Sequence, residues 1–115
     1  MLRINEDFLI VPTAQGRSRF EEELNDHVAQ TRPELGWPPG NPALGQRVHE
    51  AIERGLALGL TTQSACAAYV DLSFEFGDAF ETQPRFARVA DVLRRPDLDP
   101  DAKIRRAEAH LYRSI

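Results

Sequence analysis

The sequence has a single cysteine, Cys66, in 115 residues. One cysteine cannot form a disulfide within the chain, so nothing in the sequence indicates an oxidising compartment. The seven glycines are scattered singly, whereas a phosphate-binding loop needs several at close spacing. The sequence therefore predicts neither a disulfide-stabilised scaffold nor a glycine-rich nucleotide loop.

Long hydrophobic runs are also missing, and no stretch is long enough to span a bilayer. The short apolar patch from Phe8 to Val11 follows Glu6 and Asp7, unlike the basic start of a secretory signal. We therefore expect a cytoplasmic protein that does not contact a membrane.

A concentrated basic face, which nucleic-acid binding needs, is not evident either. The chain carries 18 acidic residues against 14 Lys and Arg, with a formal net charge of -4. The densest group of basic residues is Arg94, Arg95, Arg105, Arg106 and Arg113, and acids are interleaved with it. We expect no nucleic-acid partner, although an acidic transcription-associated regulator stays open as an alternative.

Metal-binding and nucleophilic motifs are absent from the sequence. His27, His49 and His110 are far apart, and no H-x-x-x-H spacing occurs. Cys66 lies among alanines, so we interpret it as a small core residue rather than an activated thiol. The sequence predicts no catalytic residue, no cofactor and no metal site.

What the chain does have is a stretch over 62–76 that is apolar almost all the way round a helical projection. It carries two adjacent apolar stripes. The first is Ala65, Ala68, Tyr69, Leu72 and Phe76, and the second is Cys66, Val70 and Phe74. Thr61 or Thr62 is expected to cap this helix and Gly77 to end it in the left-handed conformation. Such a helix belongs in the centre of a fold.

Four further amphipathic helices are predicted around it. They begin at Gln15, Asn41–Pro42, Pro84 and Asp99–Pro100. The stretch 32–41 is a Pro/Gly-rich loop, and residues 1–14 suit a short strand or an extended arm. The sequence thus predicts a single all-α domain over 1–115: a compact bundle of about five short helices around the buried 62–76 helix, with an extended N-terminal arm.

The sequence also predicts how the first helix is capped and where the second helix meets a neighbour. Ser18 is predicted to cap the first helix in a capping box with Glu21. Gly45 and Gly55 each weaken the second helix by roughly 1 kcal/mol relative to alanine. We therefore expect a neighbouring helix to approach closely at both glycines. The short connection that follows predicts antiparallel packing of the second and central helices.

Asp71, Glu75 and Asp78 recur at about one-turn spacing along the central helix and just past it. The favoured interpretation is an acidic edge that faces water. The alternative is a carboxylate pair for general acid and base chemistry, as in a small hydrolase. Because the sequence shows no partner base, lid or glycine loop beside them, we expect a protein that is not an enzyme.

Aromatic residues exceed what five short helices readily bury. Trp37 sits in a proline-bounded loop, where it suits either a lid over the bundle or an anchor for a protein partner. Phe80 is expected to return to the core from the turn after the central helix. The predicted partner-binding residues are Trp37, Phe74, Asp71, Glu75, Asp78 and Phe80.

From Gly59 to Leu93 the order of residues is G-L-T, Y-V-D-L-x-F-x-F-G, x-x-F, x-x-x-P and a helix ending in Leu. This pattern resembles small all-helical accessory proteins encoded in type VI secretion gene clusters, next to genes for spike proteins and toxic effectors. More loosely, the resemblance includes 19–33 and 99–111. The sequence departs from the pattern in its proline-rich 37–42 loop and at Gln63–Ser64.

The resemblance implies a non-enzymatic, cytoplasmic role as adaptor, chaperone or immunity-like partner of a secreted effector or spike component. It implies no active site. The sequence leaves the oligomeric state and the choice among these three roles open.

Overall fold

The computed structural model describes residues 14–38 and 40–113. Within these residues the chain forms five α-helices and three 3-10 turns, and no strand. The α-helices are α1 (Ala14–Thr31), α2 (Pro42–Ala57), α3 (Gln63–Phe76), α4 (Ala87–Leu93) and α5 (Pro100–Arg113), and the 3-10 turns are Pro33–Leu35, Phe80–Thr82 and Pro84–Phe86. The predicted all-α bundle is confirmed. The predicted arm over 1–14 lies outside the described residues, apart from Ala14, which begins α1.

The radius of gyration is 13.6 Å, close to the value of about 13 Å expected for a compact chain of this length. No helix among the described residues has the length and apolar character needed to cross a membrane.

Helix α3 lies between two hydrophobic clusters, as its two apolar stripes predicted. Tyr69 and Leu72 face a cluster built with α4, α5 and the turns before them. Cys66 and Val70 face a second cluster built with α1 and α2. Tyr69, Cys66 and Val70 are completely buried. A helix with an apolar partner on both sides gains burial on both, which explains why the rest of the bundle packs around it.

The ends of α3 agree with the prediction at one terminus and differ at the other. Thr62 is the N-cap, and its Oγ1 accepts a hydrogen bond of 3.2 Å from the amide of Ala65. Gly77 ends the helix with φ 112 and ψ 152. This positive φ still suits glycine, but it is not the predicted left-handed helical conformation, because the chain turns away in an extended form.

Helices α2 and α3 are antiparallel neighbours, as predicted from their short connection. Residues late in α2 meet residues early in α3: a Cβ on Gly55 would lie 3.3 Å from Tyr69 Cδ2 and 3.4 Å from Cys66 Sγ. The expected close approach is therefore confirmed at Gly55. It is wrong at Gly45, where the nearest atom, Nδ2 of Asn25, would be 3.9 Å away.

The other predicted caps are present at the starts of α2 and α5 but not at the start of α1. Asn41 Oδ1 accepts from the amides of Ala43 and Leu44 at the start of α2. Asp99 Oδ1 accepts from the amide of Ala102 at the start of α5. The predicted Ser18 cap is wrong, because α1 begins at Ala14 and Ser18 lies inside the helix.

Lys103, the one lysine of the sequence, ties α5 to the end of α2. Its Nζ donates a 2.9 Å hydrogen bond to the carbonyl of Leu58, the C-cap of α2. A cation at this position satisfies a helix-terminal carbonyl and complements the negative end of the helix dipole. The turn can approach so closely because Gly59, with φ 83, has no side chain.

Candidate functional site

The acidic edge of α3 is covered in part by the end of α1 and the segment after it. His27 Nε2 lies 3.1 Å from Asp71 Oδ2. Arg32 donates to Glu75 Oε2 and to the carbonyl of Asp71, both at 3.1 Å. The predicted acidic edge does face water, since the side chains of Asp71, Glu75 and Asp78 are 39%, 48% and 50% exposed. The prediction did not include the contacts of Asp71 with His27 and of Glu75 with Arg32.

Arg47, which belongs to α2, contacts the neighbouring part of this acidic edge. Its Nη2 donates a 2.8 Å hydrogen bond to the carbonyl of Ser73, and its guanidinium lies 4.5 Å from the centre of the Phe74 ring. Asp78 Oδ1 is 3.9 Å from Arg47 Nε, which is too long for a hydrogen bond. The planar guanidinium therefore covers one face of Phe74 and is fixed by the backbone of α3.

Trp37 and Phe74 both lie at the edge of the same hydrophobic cluster, formed by α1, α2 and α3, and both are only partly buried. Trp37 thus packs on the bundle as a lid would, yet keeps part of its ring at the surface. We name the surface formed by these groups the Trp37 face. It consists of Arg32, Trp37, Arg47, Asp71, Phe74, Glu75 and Asp78.

Two arginines of the Trp37 face carry a buried Nε group that has no hydrogen-bond partner within the described part of the chain, those of Arg32 and Arg47. Nη1 and Nη2 of Arg32 and Nη2 of Arg47 donate hydrogen bonds. A buried donor without an acceptor costs free energy, so a water that reached either Nε would be favoured.

Phe80 does not belong to this surface. It is completely buried, with ring centroids 5.5 Å from Tyr69 and 6.1 Å from both Phe76 and Phe86. Its expected return to the core is therefore correct, but its assignment to the partner-binding residues is wrong. The same burial that stabilises the fold leaves no part of the ring for a partner.

A buried polar network centred on Glu81 was not predicted from the sequence. This residue is 2% exposed, in the turn just after Phe80. Arg54 Nε donates a hydrogen bond to Glu81 Oε1, and the Tyr69 hydroxyl donates to Oε2 at 2.8 Å. Its burial could have been inferred from the sequence, because Glu81 directly follows Phe80, which was expected to enter the core. A side chain next to a core residue lies close to the core as well.

Burial and the neighbouring carboxylate both act on Tyr69. Desolvation is the largest cause that raises the pKa of this phenol above its ordinary value, and the charge of Glu81 adds to it. The hydrogen bond to Glu81 raises the pKa of Arg54. The network therefore favours a protonated tyrosine and a charged arginine around one buried carboxylate.

Stability at alkaline pH is expected to depend on Tyr69. Its contribution is fully present below the unfolded pKa of about 10 and is lost as pH rises toward the raised folded pKa, with a slope of up to about 1.4 kcal/mol per pH unit. Urea denaturation between about pH 9.5 and 11.5 measures this slope. Tyr69→Phe should flatten it, whereas Tyr112→Phe, at the exposed tyrosine, should not. Equal slopes for wild type and Tyr69→Phe would contradict the assignment.

Two of the histidines lie next to carboxylates, and the cysteine lies in the core. His49 Nδ1 lies 2.8 Å from Glu21 Oε1, so His49, like His27, lies next to a carboxylate. Cys66 is completely buried, as its interpretation as a core residue required. Among the described residues, no group of three His, Cys, Asp or Glu side chains is placed to hold a metal ion.

No protein-family model matches the chain, and neither a curated protein nor a solved structure shows significant similarity to it.

Proposed function

We propose that this protein is a non-enzymatic helical module that binds a protein partner through the Trp37 face. The observation that carries the proposal is the combination of partly exposed Trp37 and Phe74 with Arg32 and Arg47, whose buried Nε groups have no hydrogen-bond partner among the described residues. Tryptophan and arginine are the residue types most enriched among the anchors of protein interfaces.

The arrangement is suited to binding because most of it is held in place before a partner arrives. Arg47 is fixed by Ser73 and Phe74, and Arg32 by Asp71 and Glu75. Side chains that are already ordered lose little entropy on association. The exposed parts of Asp71, Glu75 and Asp78 form a polar rim that would select a partner of complementary charge.

The resemblance to accessory proteins of type VI secretion clusters supplies the partner class. We propose a secreted effector or a spike component, with the protein acting as a cytoplasmic adaptor, chaperone or immunity-like partner. Asp71 and Glu75 are engaged by His27 and Arg32, a use that favours the binding role over the alternative of a small hydrolase.

Trp37→Ala is expected to weaken binding at least about tenfold, because it removes the largest anchor of the face. Binding would be measured by calorimetry and by co-elution with the products of the neighbouring effector and spike genes. Tyr112→Ala is the matched control, because Tyr112 is 54% exposed and lies outside the Trp37 face; it should bind as wild type does. Circular dichroism would verify that both variants are folded.

Two results would count against this proposal. One is the absence of co-elution with either gene product at micromolar concentrations. The other is a complex that forms equally well with Trp37→Ala, since it would place the interface elsewhere on the bundle.

A further inference from the structure

A cavity of about 430 Å³ opens between the start of α4 and the end of α5. Its lining residues are Pro84, Arg85, Phe86, Ala87, Arg88, Val89, His110 and Arg113. Three of these eight carry a guanidinium group and one an imidazole, and none carries a carboxylate. In a protein whose net charge is -4, such a local excess of positive charge needs a physical reason.

The arginine at the entrance to α4 is held in position. Arg85 Nε donates to Gln83 Oε1 at 3.0 Å, and its guanidinium lies 4.5 Å from the centre of the Phe86 ring. That ring is anchored, since Phe86 is 5% exposed and packs against Phe76 and Phe80. Stacking uses the face of the guanidinium group. The remaining N–H groups lie at its edge and can still donate hydrogen bonds in the plane of the group.

The other two arginines come from different elements. Arg88 belongs to α4 and Arg113 to the last turn of α5. Of the basic residues that stood out in the sequence, only Arg113 lines the cavity; Arg94, Arg95, Arg105 and Arg106 do not. Folding therefore gathers cations that are up to 28 residues apart (113 minus 85), although like charges repel at such a site.

We propose that this cavity binds a compact phosphate-bearing anion, with a diphosphate group as the recognised chemistry. Guanidinium groups bind phosphate oxygens in pairs of parallel hydrogen bonds, and three of them around one cavity suit an anion with several oxygens. The volume lies within the range of small-molecule sites. Since the cations line one cavity instead of a long stripe, a small ligand fits better than a duplex.

This site is separate from the Trp37 face. The cavity is lined by the Pro84–Phe86 turn, α4 and α5, whereas the residues of the Trp37 face belong to the segment between α1 and α2, to α2, and to the C-terminal part of α3 and the turn after it. The proposal therefore stands whether or not the partner proposed above is correct.

A bound diphosphate would stabilise the folded protein, because the unfolded chain cannot bring the arginines of three elements together. The experiment is a thermal-unfolding and calorimetric titration of the full chain with inorganic pyrophosphate, in phosphate-free buffer at physiological salt. We expect saturable binding and a rise in the unfolding temperature. An ADP titration distinguishes a nucleotide from a free diphosphate as the source.

The variants Arg88→Gln and Arg113→Gln are each expected to weaken pyrophosphate binding about tenfold, through loss of charge-assisted hydrogen bonds. Arg94→Gln is the matched control, since it removes the same charge next to α4 but outside the cavity; it should bind as wild type does. Without ligand, neither cavity variant should unfold at a lower temperature, because the change relieves repulsion between like charges.

Two outcomes would overturn the proposal. In the first, neither pyrophosphate nor ADP shows saturable binding at physiological salt, whether or not an aspartate-rich peptide binds at the cavity. In the second, Arg94→Gln weakens binding as much as Arg88→Gln, which indicates a diffuse charge effect.

Discussion

Replacing Arg54 with methionine is expected to lower the free energy of unfolding by about 3 kcal/mol, because it leaves the carboxylate of Glu81 buried without its cation. Glu81 is 2% exposed, and among the described residues only the Tyr69 hydroxyl would remain as a hydrogen-bond donor to it. The Arg54 side chain itself is 39% exposed, so the effect arises on the glutamate side of the pair. Urea denaturation near pH 7 measures the change.

The matched control is Arg95→Met, which removes an arginine from the exposed pair with Asp97 and should leave stability unchanged. A second test removes the whole network at once. The combination Arg54→Met, Glu81→Leu and Tyr69→Phe should be more stable than Arg54→Met alone, since no buried polar group is then left without a partner. A small loss in Arg54→Met, comparable to that of the control, would show that the buried carboxylate does not depend on Arg54.

Phe80→Ala is expected to cost about 4 kcal/mol, through lost burial and the cavity that remains. The ring is completely buried and meets three other aromatic rings, so its neighbours cannot collapse into the space without losing their own contacts. This loss is a large fraction of the roughly 5–15 kcal/mol that stabilises an ordinary domain. Urea denaturation at low temperature would measure this change in the free energy of unfolding.

Phe80→Leu keeps most of the volume and should cost less than half as much as alanine. Tyr112→Ala, at the exposed ring that packs on Phe76, should change stability by only about 0.5 kcal/mol. If Phe80→Ala cost no more than Tyr112→Ala, the ring would not be the core residue that the structure describes. Phe80→Leu should still bind the proposed partner as wild type does, because Phe80 is not part of the Trp37 face.

The central helix was predictable because its signal is local. Two apolar stripes at helical spacing required an apolar neighbour on each side, and α3 has one on each side. The caps at Asn41, Thr62 and Asp99 were predictable for the same reason, since each side chain bonds an amide two or three residues further on. The Ser18 cap failed because the same serine pattern also fits the interior of a longer helix.

The candidate site was predictable only as a set of residue types. Trp37, Phe74 and the acids of α3 stood out, but their cationic neighbours did not, because Arg32 and Arg47 are separated from their partners by 26 to 43 residues. Phe80 was assigned to both the core and the surface, since a sequence shows that a residue is apolar but not which of its faces is covered.

By itself, therefore, the sequence determined the helices, most of their caps, and which helix would lie at the centre. Those features depend on interactions within a few residues and on the period of the apolar pattern. The tertiary structure alone decided the pairing of Arg54 with Glu81, the close approach at Gly55 but not at Gly45, and the meeting of Arg85, Arg88 and Arg113. Each of these depends on how the helices are placed in space, which the helical period does not specify.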